Sequence, residues 1–138
     1  MPPGSASKPG GSIVGLDHVL VAIPVGGEEA ARRFYGGLLG LTEVPKPEPL
    51  DARGGCWFVG DGVALHLGAE AAFRPARKAH VGLLVDDLDG LRRALEGAGV
   101  TTREDEASIG VRRFYADDPF GNRLELIDAR DRGFTDRG

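Results

Sequence analysis

The sequence has little cysteine, little histidine and no long apolar run, and each shortage excludes a class of protein. The 138 residues include one cysteine and three histidines. The lone Cys56 excludes a disulfide framework within the chain, fits a reducing cytoplasm, and lies in an apolar run that favours an inert, packed thiol. The longest apolar runs are only as long as strands, and residues 1–12 contain no apolar signal-peptide core. We therefore expect a cytoplasmic protein without a membrane partner.

An excess of positive charge is also absent. The formal net charge is −4, and no basic stripe with interleaved aromatic residues offsets it. The composition therefore argues against a nucleic-acid partner and leaves a small molecule as the expected target. The length suits one domain. We predict a disordered tail over residues 1–12, one domain over 13–128 with modules at about 13–68 and 78–128, and a charged tail over 129–138.

Hydrophobic periodicity predicts an α+β fold in which a β-α-β-β-β unit occurs twice. The first helix begins with Glu28 and Glu29 and ends at Gly40, and the second has Asp86 or Asp87 as its N-cap. Their predicted apolar faces are Ala31, Phe34, Tyr35, Leu38 and Leu39 in the first helix and Leu88, Leu91, Leu95 and Ala98 in the second. Strands are predicted in "LDHVLVAIP", "LTEV", "CWFV", "VALHL", "AHVGLLV", "VTTRE", "VRRFYA" and "NRLELI". We expect the two modules to form a curved mixed sheet around a cleft.

An internal repeat connects the few histidines. "HVLVAI" from His18 aligns with "HVGLLV" from His80, and "GVALHL" aligns with "GNRLEL", so that His66 corresponds to Glu125. A duplicated module brings equivalent positions together around a pseudo-twofold axis. The repeat therefore predicts that His18, His66, His80 and Glu125 converge.

Strand alternation places these four polar residues on the cleft face, opposite the apolar residues that pack on the helices. A carboxylate and three imidazoles in a partly dry cleft cost several kcal/mol unless a group of opposite charge compensates them. A divalent cation does so, and His and carboxylate ligands with open positions are a recurring metal arrangement. We predict a metal site of His18, His66, His80 and Glu125 that takes one divalent ion, with Zn, Ni or Co favoured over Fe or Mn.

The same alternation identifies secondary candidates. In "VRRFYA" it places Arg113 and Tyr115 on the cleft side, where they contact substrate or form a solvated strand face. In "CWFV" it places neighbouring aromatic residues on opposite faces, so that Trp57 or Phe58 lines the cleft. The loop "FRPARK" just before the His80 strand either receives a carboxylate or phosphate or simply faces water; its cations are Arg74, Arg77 and Lys78.

The histidine-bearing "LDHV" and "AHV", the paired modules and above all "DDPFGNRLELI" resemble the vicinal oxygen chelate superfamily. That superfamily includes glyoxalase I, methylmalonyl-CoA epimerase, extradiol dioxygenases, and the fosfomycin and bleomycin resistance proteins. The resemblance covers about residues 14 to 128, and within it "DPFGN" also has the residue pattern of a type I turn. It implies that His18, His80 and Glu125 correspond to a metal-ligand triad. His66 stands where glyoxalase I has a glutamate ligand.

The role of His66 leaves two kinds of chemistry open. As a fourth ligand it implies a lyase or isomerase that chelates vicinal oxygens of a small substrate, with Glu125 or a nearby base moving the proton. As a free acid/base, His66 implies a ring-cleaving dioxygenase with a three-ligand Fe(II) site. The alternative from another class is a non-catalytic binding protein of the bleomycin-resistance type. The resemblance and the open sheet edges of two small modules predict a homodimer.

Overall fold

The computed structural model describes residues 10–105 and 110–132, so most of the two predicted tails lies outside the described residues. Eight strands and two α-helices follow one another along these ranges: β1 (Val19–Pro24), α1 (Glu28–Ala31), β2 (Thr42–Val44), β3 (Cys56–Gly60), β4 (Val63–Glu70), β5 (Val81–Val85), α2 (Leu88–Gly97), β6 (Thr102–Arg103), β7 (Arg113–Asp117) and β8 (Arg123–Asp128). No helix among the described residues is long and apolar enough to cross a membrane.

Each module forms its own four-stranded sheet, and the predicted α+β class with two β-α-β-β-β modules is confirmed. The strand orders are β1-β4-β3-β2 and β5-β8-β7-β6, with a parallel first pair in each sheet. The register reproduces the repeat: Leu20, two residues after His18, pairs with His66, and Gly82, two residues after His80, pairs with Glu125. The parallel pairs leave β1 and β5 as edge strands, which are not paired with each other within the described chain.

The two helical segments lie where periodicity predicts them. α1 continues as a π-helix over Arg32–Leu38, whose predicted apolar face is buried at Phe34 and Tyr35, and Gly40 follows with a φ of +74°. In α2 the Asp87 side chain caps the helix by accepting a hydrogen bond from the backbone N–H of Gly90. The prediction that Ala98 belongs to the apolar face of α2 is wrong, because Ala98 is the C-cap residue and is exposed.

The apolar faces of both sheets contribute to one core. Leu65 and Leu67 of β4 and Leu124 and Leu126 of β8 are each 1% exposed. Fully burying one such side chain contributes roughly 1.5 to 3 kcal/mol. Because side chains alternate, His66 and Glu125 project from the opposite faces of their sheets, away from the shared core.

A buried hydrogen-bond network joins the modules at the turn between β7 and β8. The predicted turn forms, with the Gly121 N–H bonded to the Asp118 carbonyl. The Asp118 carboxylate accepts hydrogen bonds from the Tyr35 hydroxyl at 2.7 Å and from the Asn122 amide at 2.9 Å, and that amide also donates to the Ala22 carbonyl of β1. The turn therefore fixes module two against module one.

Candidate functional site

The first half of the predicted site is a stack of three aromatic rings in module one. The Trp57 indole lies over the His66 ring with centroids 3.7 Å apart, and His66 in turn stacks on His18 at 4.1 Å. Trp57 is thus the aromatic residue of β3 on the cleft side, whereas Phe58 is buried in the core. The stack fixes the plane of the His66 ring.

The imidazoles of this half have nitrogen atoms available for a ligand. Burial and the neighbouring His18 lower the pKa of His66, so its ring is neutral at neutral pH. Its nitrogens form no hydrogen bond with the described residues. The Nδ1 atom of His18 lies 2.7 Å from the Asp17 carboxylate, an arrangement that leaves Nε2 as the coordinating atom in many metal-bound histidines.

The second half joins His80 and Glu125 in module two. The His80 Nε2 atom lies 3.0 Å from Glu125 Oε1, and its Nδ1 atom lies 2.8 Å from the Lys78 carbonyl. A neutral imidazole carries only one proton, yet both nitrogens here face oxygen acceptors. With the proton donated to the Lys78 carbonyl, a cation shared by Nε2 and the carboxylate would satisfy both atoms. The pair therefore has the donor chemistry of half a metal site.

Glu125 is kept ionised by its neighbours. Burial raises its pKa, but the hydrogen bond from Arg113 and the neighbouring His80 outweigh this effect and lower the pKa below its usual value. Arg113 Nη1 lies 2.9 Å from Glu125 Oε2 and 2.8 Å from the Tyr115 hydroxyl, so both predicted substrate-contact residues adjoin the carboxylate. The arrangement provides a charged carboxylate whose second oxygen is held by a guanidinium.

The structure brings the four predicted ligands together in pairs. Among residues 10–105 and 110–132, no group of three or more His, Cys, Asp or Glu side chains is placed to hold a metal ion. The donor set of three imidazoles and one carboxylate fits a divalent ion. Each pair belongs to a different sheet and projects away from the shared core, so one chain presents the two pairs separately; they are called the half-sites of the predicted metal site below.

A cavity of about 510 Å³ lies apart from both halves. It is lined by residues of the first helical segment, the segment after α2 and the start of the β7–β8 turn, including Phe34, Val100 and Asp118. This cavity therefore does not mark the place of the predicted chemistry.

Comparison with known proteins identifies the family. The model of the glyoxalase, bleomycin resistance protein and dioxygenase superfamily matches residues 15–126. The chain belongs to this superfamily. Its members commonly use a divalent metal ion and bind small molecules, and they include both enzymes and non-catalytic binding proteins. No curated protein sequence shows significant similarity to this chain.

Solved structures show the same glyoxalase-superfamily fold. A glyoxalase family protein from Bacillus anthracis is 47% identical, with a TM-score of 0.81, and the alignment covers 86% of this chain and 97% of that one. The fosfomycin resistance protein FosX from Listeria monocytogenes is 14% identical (TM-score 0.70; 88% and 99% covered). TnmS3, an antibiotic-binding protein from a Streptomyces species, is 24% identical (TM-score 0.62; 84% and 98% covered). The last two likenesses concern the fold alone.

The sequence-based reasoning overlooked the groups that orient the histidines. Asp17 and the Lys78 carbonyl each face one Nδ1 atom. The pair Asp17 and His18 in "LDHV" was a visible signal, because adjacent carboxylates commonly orient metal-binding imidazoles. A backbone carbonyl has no signature in the sequence.

Proposed function

We propose that this protein is a metal-dependent enzyme that binds one divalent ion through His18, His66, His80 and Glu125. The observation that carries the proposal is His80, whose two nitrogens both face oxygen acceptors and whose Nε2 atom adjoins an ionised carboxylate. Imidazole ligands favour Zn, Ni or Co, with Fe or Mn as the alternatives. The substrate would be a small molecule that contacts the ion through two vicinal oxygens.

The reaction we favour is that of a lyase or isomerase, in which a proton moves next to a substrate carbonyl. The bound ion would supply Lewis-acid stabilisation of negative charge on the substrate oxygens. Arg113 holds Glu125 Oε2, leaving Oε1 to bind the ion or accept the proton. His66, neutral and without a hydrogen bond to the described residues, is the fourth ligand in this proposal; as a free acid/base it would suit ring-cleaving dioxygenase chemistry instead.

We further propose that two chains complete each site in a C2 homodimer. His18 and His66 of one chain would combine with His80 and Glu125 of a second copy. The unpaired edges of β1 and β5 support this arrangement, as do two apolar residues exposed there, Leu20 at 60% and Leu84 at 42%.

Metal binding tests the proposed function. Calorimetric titration of the metal-free protein with Zn²⁺ should give about one ion per chain, and bound metal should raise the melting temperature because it binds only the folded site. Glu125→Gln should lower the affinity at least about tenfold, since a neutral amide no longer offsets the ion's charge. Glu48→Gln, in an exposed loop, is the matched control and should bind as the wild type does.

Absence of affinity for Zn, Ni, Co, Mn and Fe(II) would reject the enzyme proposal. That result would favour the second candidate, a non-catalytic small-molecule-binding protein of the bleomycin-resistance type. The observation that favours a binding protein is that no three potential metal ligands lie together among the described residues of one chain.

We also propose a cytoplasmic location. Cys56 is free and buried, and burial raises the pKa of its thiol to about 11. The thiol is therefore protonated and inert, as expected of a packed cysteine in a reducing compartment.

A further inference from the structure

Three arginine side chains surround one aromatic ring beside the second half-site. The guanidinium carbons of Arg103, Arg113 and Arg123 lie 5.9, 5.5 and 5.7 Å from the Tyr115 ring centroid. That ring forms a T-shaped contact with the His80 ring, with centroids 5.8 Å apart. The arginines therefore lie on the same face as the predicted metal ligands.

Carboxylates neutralise two of these arginines. Arg103 Nη2 lies 3.0 Å from Asp117 Oδ1, and Arg113 Nη2 lies 3.2 Å from Asp105 Oδ2. Arg113 also binds the carboxylate of the half-site. Their charges are compensated within the protein, so neither has to meet a ligand anion.

Arg123 has no carboxylate partner among the residues that the structure describes. It forms no ion pair with any described residue, although it lies two residues from Glu125 on the same face of β8. Asp117, which faces it across the β7–β8 pair, binds Arg103 instead. The one hydrogen bond that Arg123 makes to the described residues runs from Nη2 to the Arg77 carbonyl at 3.3 Å. Its remaining N–H groups keep the geometry that matches carboxylate and phosphate oxygens.

Two backbone carbonyls of the basic loop before β5 contact Arg123 and His80. The Arg77 carbonyl accepts from Arg123, and the next carbonyl, that of Lys78, faces His80 Nδ1. The side chains of Arg74, Arg77 and Lys78 are exposed and form no ion pair with the described residues. In a protein of net charge −4, this concentrates uncompensated positive charge beside the half-site, where it attracts anions.

Module one has no counterpart of this feature. The position equivalent to Arg123 in the repeat is Ala64, which pairs with Val59 of β3 as Arg123 pairs with Asp117 of β7. The fold therefore does not require a cation there.

We propose that Arg123, together with the loop of residues 74–78, binds an anionic substituent of the substrate, a carboxylate or a phosphate-type group. The ligand class is a small molecule with a vicinal oxygen pair and a separate anion. The oxygen pair rests on the proposed function, whereas the anion site stands on Arg123 and its surroundings.

Calorimetry of the zinc-loaded protein with three probes tests the anion site. Lactate, malate and 3-phosphoglycerate share a hydroxyl group vicinal to a carboxylate, and only the last two carry a further anion. We expect malate or 3-phosphoglycerate to bind at least about tenfold more tightly than lactate, the effect of one charge-assisted hydrogen bond. The tighter of the two identifies the anion as carboxylate or phosphate.

Variants assign the preference to Arg123. Arg123→Gln should lose it while lactate affinity and zinc stoichiometry stay unchanged. Arg93→Gln, which removes the same charge from the exposed surface of α2, should keep it. Equal affinity of the wild type for all three probes, or a preference that survives in Arg123→Gln, overturns the proposal.

Titration of the metal-free protein with inorganic phosphate separates this proposal from the proposed function. If zinc does not bind, the proposed function fails. Phosphate binding that is lost in Arg123→Gln and kept in Arg93→Gln then supports the anion site. Absence of phosphate binding in that case overturns the anion site as well.

Discussion

His66 shows how ring stacking orients a side chain of the candidate site. Trp57 covers it at a centroid distance of 3.7 Å, and His18 lies 4.1 Å away at an interplanar angle of 16°. Burial, followed by the repulsion that two stacked imidazolium ions would exert on each other, lowers the pKa of His66. A neutral ring in a fixed plane can serve as a metal ligand or as a proton acceptor.

Alanine substitution distinguishes these two roles. If His66 is a ligand, His66→Ala should weaken zinc binding about as much as His18→Ala does, because each removes one imidazole from the same site. Calorimetry and the metal-induced shift of the melting temperature measure both variants. Full zinc affinity in His66→Ala, with only turnover lost, would instead identify an acid/base and favour the dioxygenase alternative.

Asp128 provides a prediction about acid stability. It is fully buried, and hydrogen bonds from Arg130 and Arg112 lower its pKa from 3.8 to about 2. Because the folded-state pKa is lower than the unfolded one, its contribution to stability is present above pH 4 and is lost as the pH falls towards 2. Asp128→Asn should therefore destabilise the protein at pH 7 and flatten the loss of stability between pH 4 and 2.

Urea unfolding at a series of pH values measures this effect. Asp61→Asn, in the exposed turn between β3 and β4, is the control and should retain the wild-type acid profile. An Asp128→Asn variant with the wild-type profile would contradict the assignment.

At the scale of elements, the β7–β8 turn connects the two modules through a buried hydrogen bond. Its Asp118 is 5% exposed, and it accepts a hydrogen bond from Tyr35, a residue 83 positions earlier in the chain. Burial and the neighbouring carboxylate raise the pKa of Tyr35, so the hydroxyl remains a donor. The bond links the helical segment of module one to the turn of module two.

Removing the Tyr35 hydroxyl should weaken this connection and lower the free energy of unfolding. Tyr35→Phe leaves a buried carboxylate with one donor fewer, which costs about 1 to 3 kcal/mol of unfolding free energy. Tyr115→Phe, the same change at the other tyrosine of the chain, affects a residue that is only partly buried and should cost less. Denaturant titration compares the two, and equal losses would contradict a special role for the buried bond.

At the scale of the whole molecule, the shared core separates the two half-sites. The apolar faces of both sheets are buried in it, so the polar faces project away from each other and the edges of β1 and β5 stay unpaired. A second copy of the chain can cover an edge and bring complementary half-sites together.

Mixing two inactive variants tests the composite site. His18→Ala/His66→Ala removes one half-site and His80→Ala/Glu125→Gln removes the other, so neither protein alone should bind zinc tightly. After subunit exchange, half of the dimers contain one chain of each kind and one intact site, which should restore about a quarter of the wild-type zinc capacity. No recovery after proven exchange would place the site within one chain, and a monomer in light scattering at micromolar concentration, with metal bound, would reject the dimer.

The sequence by itself determined the elements, the repeat and the faces of the strands. Hydrophobic periodicity and strand alternation are local properties, so they placed Phe114 and Ala116 in the core and Arg113 and Tyr115 on the opposite face of the strand, as the structure has them. The same alternation puts Ile127 on the Glu125 face of β8, where the structure nevertheless leaves it only 8% exposed. Its side chain lies beside Gly82 of the neighbouring strand, where no side chain competes for the space.

Only the tertiary structure decided which of these residues meet. The repeat predicted that the four candidate ligands converge. Instead, packing of both apolar sheet faces into one core separates them into two pairs, His18 with His66 and His80 with Glu125. The tertiary structure also pairs Arg103 with Asp117, so that Arg123 forms no ion pair with a carboxylate of residues 10–105 or 110–132. Such choices depend on contacts between residues far apart in the chain, and neither periodicity nor composition encodes them.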